Sequence, residues 1–205
     1  MAELTLAQIR NKVKLDLDLE EELFITDAGL NSFINAAIRD VEAKIHALYE
    51  DYFLSTANIS LVSGTSEYAM PSDIYADKIR LIQYNDGATK YDIPRVRNLS
   101  DIPFLDTTDL YSYLIINTAA SGRKIKFYPA SRVTSATAVT IFYIRIAKEL
   151  TSDSHTCDLP TSFINYVHWR TKLSAYQQEG SPMIQEAQKE VDMLMQDMVT
   201  TLSNR

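Results

Sequence analysis

The stretch Ile45-His46-Ala47-Leu48-Tyr49-Glu50-Asp51-Tyr52-Phe53-Leu54-Ser55-Thr56-Ala57-Asn58-Ile59-Ser60-Leu61-Val62-Ser63 decides the fold. Up to Tyr49 the apolar residues recur every three or four positions, and from Phe53 they recur every second position. The chain therefore passes from helix to strand close to residue 52. Working back from this point, Leu30, Ile34, Ala37, Val41, Ile45 and Leu48, widened by Phe33 and Ile38, form the buried face of a helix capped by Thr26 or Asp27. Such a helix of about 23 residues is about 35 Å long. A shorter amphipathic helix precedes it, with Leu6, Ile9, Val13 and Leu17 at helical spacing. Thr5 and Gln8 stand at the spacing of a capping box at its start.

Working forward, Thr56–Ser63, Lys78–Tyr84, Ala88–Ile93, Tyr111–Asn117, Arg123–Tyr128 and Ala136–Ala147 are rich in Ile, Val, Thr and Tyr and are bounded by turn residues. Asn85-Asp86-Gly87 predicts a tight hairpin, and Asn98–Leu105 a short helical turn. In Arg123–Tyr128, Ile125 and Phe127 alternate with Lys124, Lys126 and Tyr128. The stretch 136–147 is apolar on both faces, which predicts a central or sandwiched strand. Helices return after Asp158-Leu159-Pro160, where proline suits a first turn because its missing N–H has no partner there. Phe163, Tyr166, Val167, Leu173 and Tyr176 are expected on the inner face of that helix, and Gly180 with Pro182 separates it from a last one. Ile184, Ala187, Val191, Leu194 and Met198 form the seam of that last helix.

The expected class is α+β, a bundle of N-terminal and C-terminal helices with an inserted antiparallel β subdomain. Residues 1–52 supply the N-terminal helices, 53–150 the β insertion, and 151–205 the C-terminal helices of one discontinuous helical domain.

Of the 205 residues, 46% are hydrophobic and 23% charged, the balance of a globular chain with a sizeable core. The single cysteine, Cys157, cannot form an intrachain disulfide, and no signal peptide is expected ahead of Glu3. The longest uncharged run, Tyr52 to Ser66, is too short and too polar to cross a bilayer, so no membrane partner is expected. The net charge of −7 is uneven, at −6 for residues 1–52, +2 for 53–150 and −3 for 151–205. An acidic total repels a phosphate backbone and argues against tight, free-standing nucleic-acid binding.

Asp16, Asp18, Glu20, Glu21 and Glu22 alternate like the start of a calcium loop. Glu21 stands where that loop needs glycine, however, and Asp27 where it needs glutamate, so a solvated acidic turn is expected. His155 and Cys157 lack the second pair of ligands that a zinc tetrahedron requires. The chain contains no G-x-S-x-G, Walker, G-x-G-x-x-G or H-E-x-x-H motif. Neither a metal, a cofactor nor enzyme activity is expected, and a hydrolase is the weakest of the alternatives.

Arg95, Arg97, Arg123, Lys124 and Lys126, with Tyr91, Tyr128 and Tyr143 among them, form a candidate basic docking face. It would serve an acidic partner, or nucleic acid if the chain is a binding module. Arg170 falls within a face expected to be buried and therefore calls for an ion pair, in the bundle or with a neighbouring subunit. With Met193 and Met195 it makes a candidate contact with a partner.

Leu6-x-x-Ile9-x-x-x-Val13, Leu30-x-x-x-Ile34-Asn35-x-Ala37, Tyr68-Ala69-Met70-Pro71-Ser72-Asp73, Phe142-Tyr143-Ile144-Arg145 and Leu159-Pro160-x-x-Phe163 together resemble tailed-phage head–tail adaptor proteins, particularly the podovirus tail-tubular A and P22-type adaptors. The resemblance runs from residue 4 to about 178. It implies a virion-neck protein, assembled in the host cytoplasm, that is monomeric alone and forms a homo-oligomeric ring, a dodecamer, in the particle. Such a ring lies between the portal protein and the tail nozzle and encloses a channel for DNA that it does not bind specifically. The helical part would engage the portal, and the β part tail proteins or neighbouring subunits. Tyr68, Pro71, Asp73, Tyr143, Leu159, Pro160 and Phe163 match the family pattern and imply roles in chain direction and packing. The acidic residues 16–22 would line the channel and keep DNA mobile. Because the sequence ends close to its last expected helix, portal binding by a long wrapping tail is not expected.

Overall fold

The computed structural model describes residues 4–17, 25–119 and 122–204. They form five α-helices and two antiparallel sheets, with helices at both ends of the chain and strands between them. Two compact units result, one from residues 1–52 with 147–205 and the other from residues 53–146.

In the helical unit, α1 (Leu6–Asp16) starts at Thr5, whose hydroxyl accepts from the Gln8 N–H while the Gln8 side chain accepts from the Thr5 N–H. This reciprocal cap satisfies two donors that a helix start leaves open. The next helix, α2 (Asp27–Leu48), is capped by the Thr26 hydroxyl. Leu30, Ile34, Ala37, Ile38, Val41 and Ile45 are buried along it. Leu48, expected in the same stripe, is 41% exposed, because it occupies the last turn, just before the backbone leaves the helix at Tyr49.

Two further helices, α4 (Ile164–Glu179) and α5 (Ile184–Ser203), are separated by Gly180 in the left-handed conformation. α4 packs against α2 and α5. Its buried face contains most of the expected one, Phe163, Tyr166, Val167 and Leu173, and is wider. Ile164, His168, Thr171, Lys172 and Ala175 are buried as well, whereas Tyr176 is only half buried and Arg170 lies at the margin. Three polar residues hide this added part from a hydrophobicity pattern. On α5, Ala187, Val191, Met198 and Leu202 face inward.

Between α2 and α4 the chain returns through residues 147–158, and a series of hydrogen bonds fixes it to the first two helices. The Ala147 N–H donates to Glu42 Oε1 at 2.9 Å. Asn35 bridges Leu150 on both sides, donating to its carbonyl at 3.0 Å and accepting from its N–H at 2.9 Å. Arg10 grips both carboxylate oxygens of Asp153 at 2.9 and 3.0 Å and also reaches Asn31. The Leu6 N–H then donates to the His155 carbonyl, and the Cys157 N–H to that of Leu4.

The β unit is a sandwich. One sheet has the order β1 (Leu54–Leu61), β7 (Ser135–Arg145), β3 (Ile74–Asn85), β4 (Lys90–Asp92), and the other β2 (Glu67–Ala69), β6 (Gly122–Tyr128), β5 (Ser112–Thr118). β7 is central, as its two apolar faces require. Ile82, Ile125, Phe127, Val139 and Ile141 are at most 1% exposed and belong to the core of this unit. The turn from β3 to β4 closes on Asp86, whose carboxylate accepts from the N–H groups of Thr89 and Ala88. Those bonds, with one from the Tyr84 hydroxyl, hold the Asp86 carboxyl below the ordinary carboxylate range. The short turn expected at 98–105 is a 3₁₀ turn, Leu99–Asp101, followed by α3 (Ile102–Leu105). The strand β2 has no counterpart among the expected strands, since three residues are too few to show alternation.

Replacing Asn35 by Ala removes both bonds to Leu150 and leaves a buried N–H and a buried carbonyl unpaired. Asn35→Ala is expected to cost about 1–3 kcal/mol for each orphaned group, read as a lowered midpoint in urea with an unchanged slope. A midpoint equal to that of the parent chain would show that Asn35 does not secure the returning segment.

Candidate docking surfaces

The candidate side chains fall into three groups, each set by the elements that carry it. The first has a packing role, and most of it lies in the β unit. Asp73, at the entry to β3, and Tyr143, on β7, are 70 residues apart in sequence, yet the Tyr143 hydroxyl donates to Asp73 Oδ1 at 2.8 Å. The tyrosine is buried, and burial followed by the neighbouring carboxylate pushes its hydroxyl above the ordinary range. Tyr68, on β2, turns its hydroxyl to the Val62 and Thr65 carbonyls and so closes the loop between β1 and β2. Next to it, Pro71 helps to line an apolar groove with Ile59, Tyr68, Met70 and Ile141. Leu159 and Phe163 are buried in the helical unit, where the Pro160 carbonyl accepts from the Phe163 N–H at the start of the turn leading into α4.

The second group is the basic one. Arg123 Nη1 lies 2.7 Å from Asp77 Oδ1. Lys124 and Lys126, on the same face of β6, stand 3.4 and 3.6 Å from the two oxygens of Glu67 on β2. One carboxylate thus serves two ammonium groups, and the surplus positive charge stays local. Ala76 and Asp77 adopt the left-handed region at φ 46° and 58°, where the register of β3 shifts. This strained bulge places Asp77 within reach of Arg123. Arg95 and Arg97 are exposed and lie apart from that cluster, beside β5, where residue 95 bridges to Tyr113.

The third group lies between α4 and α5. Arg170 Nε donates to Asp40 Oδ2 at 3.0 Å, and its Nη1 donates to the Ser174 hydroxyl. A cleft of about 240 Å³ beside it is lined by Tyr166, Arg170, Leu173, Val191 and Met195, among others. Burial, then the Asp40 carboxylate, pushes the Tyr166 hydroxyl up to about 12. Arg170 and Met195 therefore share one cleft, whereas Met193 is 51% exposed and does not line it.

Asp16, the one described member of the acidic run, is exposed and lies beside α4. Its Oδ2 lies 3.1 Å from His168 Nε2, without lining up as a hydrogen bond, and 3.5 Å from Lys172 Nζ. Lys172 in turn rests 3.9 Å above the Trp169 ring. Asp18, Glu20, Glu21 and Glu22 lie outside the described residues. His155 Nδ1 accepts from the Thr151 N–H and Cys157 is buried, both within the returning segment. Among the described residues, no three His, Cys, Asp or Glu side chains gather as metal ligands, and no helix is long and apolar enough to cross a membrane.

Sequence reasoning missed the grip of Arg10 on Asp153. Its signal was available, since position 10 is four residues from Leu6 and three from Val13 and so falls on the buried side of α1.

The surfaces open to a partner are thus sheet edges, a helix cleft and locally compensated charges. Residues 4–205 match the model of the SU10 adaptor protein family, and the chain belongs to that family. No curated protein sequence matches the chain. A solved structure described as the neck of an empty GTA particle computed with C6 symmetry is similar at 16% identity and a TM-score of 0.31, over 85% of this chain and 78% of that one.

Burial holds the His168 imidazole below its ordinary value of 6.5, while the Asp16 carboxylate acts in the opposite direction and Lys12 and Lys172 reinforce burial. The unfolded chain therefore takes up this proton more readily than the folded one. The stability tied to the neutral ring is complete above pH 6.5 and is lost as pH falls through that value toward the lower folded pKa. In His168→Gln, unfolding midpoints are expected to vary less with pH below 6.5 than in the parent chain; parallel profiles would show that this histidine does not set the acid limit.

Proposed function

We propose that this protein is the head-to-tail adaptor of a tailed phage, forming a ring in the virion neck between the portal protein and the tail nozzle. The observation that carries this reading is the family match over residues 4–205. The structure supports it in two ways. Both ends of the chain meet in one helical unit, which leaves the β unit between residues 53 and 146 as a separate module for a second partner. The α4–α5 cleft, with Arg170 and Met195 in its lining, is a contact for the portal or a neighbouring subunit.

The basic β face suits protein better than nucleic acid. Arg123 already has Asp77, and Lys124 with Lys126 shares Glu67. Few cations remain to neutralise phosphates, the main source of affinity for a duplex. DNA passes through the ring unbound, and the carboxylates of residues 18–22 would repel its phosphates. Asp16 stands 3.5 Å from Lys172, which offsets part of its charge.

Native mass spectrometry and negative-stain imaging of the purified protein with the portal ring encoded by the same genome test the assembly. Portal-bound rings are expected; a chain that stays monomeric and ignores the portal would overturn the reading. For the channel, combining Asp18→Asn with Glu20→Gln, Glu21→Gln and Glu22→Gln is expected to change how long particles retain their genome. Retention equal to that of the parent phage would remove this segment from the channel wall.

A further inference from the structure

Among the described residues, three of the most exposed large apolar side chains, Leu99 (68%), Phe104 (74%) and Leu110 (56%), lie close together between β4 and β5. Residues 98–110 carry Asp101, Asp106 and Asp109 and no basic residue. Among the described residues, Asp109 is the one of the three with an ion-pair partner, Arg132 at 2.6 Å. Residues 94–96 lie along β5, with hydrogen bonds to Tyr113, and cover part of the β4–β5 edge of the sandwich. The chain then projects from that edge as the 3₁₀ turn and α3. A monomer gains nothing by displaying an acidic knob tipped with Phe and Leu.

The opposite edge of the sandwich has the complementary character. There β1 and β2 are the outer strands of their sheets, and a groove of about 350 Å³ between them is lined by Ile59, Tyr68, Met70, Pro71 and Ile141, with no charged side chain in its wall. Beyond β2 lie Lys124 and Lys126, which share Glu67 and leave a positive charge over. β1 is eight residues long and carries no charge, proline or glycine, and its one irregularity, the register shift between Ile59 and Leu61, leaves Leu54–Ile59 regularly paired to β7 with an open outer edge. A covering partner is the remaining protection.

We infer that the knob of one copy docks into the β1–β2 groove of the next, with Phe104 in the apolar groove and Asp101 and Asp106 beside Lys124 and Lys126. Knob and groove are alike in apolar character, opposite in charge and placed at opposite edges of one unit. A contact between two different patches is head-to-tail, and such contacts close into rings when the rotation permits. The inference rests on the ring reading for its choice of a second copy as occupant. The contact is small beside the roughly 1,000 Å² of a lasting interface, so it forms between copies already held side by side and leaves the free chain monomeric.

The test uses the full chain with Phe104 replaced by the photo-crosslinker p-benzoylphenylalanine, irradiated on the portal ring and, separately, as concentrated free protein. Adducts are mapped by mass spectrometry. Attachment to residues 57–60 or 68–71 of a second copy is expected. Lys124→Glu with Lys126→Glu should lower that yield about tenfold, and adding Asp101→Lys with Asp106→Lys should restore it. Rings whose adducts fall elsewhere overturn the docking and leave the adaptor reading intact. Adducts in the groove from concentrated protein that ignores the portal support the docking and sink the ring reading. No chain-to-chain adduct in either sample overturns the docking.

Discussion

The two hydrogen bonds between the Asn35 side chain and the Leu150 backbone are the constraint on which the helical unit depends. A chain that leaves its second helix for about 95 residues of strands must return to the same place, or α4 and α5 have nothing to pack on. Asn35 has the chemistry for this, because one amide can donate to a carbonyl and accept from an N–H of the same residue. Glu42, Arg10, Leu6 and Leu4 extend the attachment along the returning segment. The contacts are polar because an extended segment brings unpaired backbone groups with it, and buried backbone groups require partners.

That arrangement accounts for the sequence Leu30-x-x-x-Ile34-Asn35-x-Ala37. Three of those residues fill the inner face of α2, and the fourth receives the returning chain. Asp73 and Tyr143 do related work in the β unit, joining the entry of β3 to the central strand. In both units, residues with the character of catalytic or binding groups are spent on holding backbone and strands in register. What remains for partners is surface, and this is the economy of a structural adaptor.

The order of elements was legible because it rests on periodicity, and the starts of α1 and α2 because Thr5 and Thr26 are strong caps. The full width of the α4 face was not, since His168, Thr171 and Lys172 are buried there beside the expected apolar residues, and spacing does not reveal what surrounds them. Thr171 donates to the Val167 carbonyl, and Lys172 is shared between Asp16 and Trp169. The same limit hid the carboxylates facing Lys124, Lys126 and Arg123. A basic stretch looks the same in sequence whether or not a strand from elsewhere brings Glu67 beside it. Arg170 was legible in kind, as a cation on a packed helix needing a carboxylate, although the identity of Asp40 was not.

Placement of the chain in the particle is the central claim, and a cryo-electron microscopy reconstruction of the phage neck tests it most directly. The account predicts a ring of copies of this chain directly below the portal, with the genome's path running through it. A neck whose density is fully explained by other proteins, with this chain elsewhere in the virion or absent from it, would contradict the account.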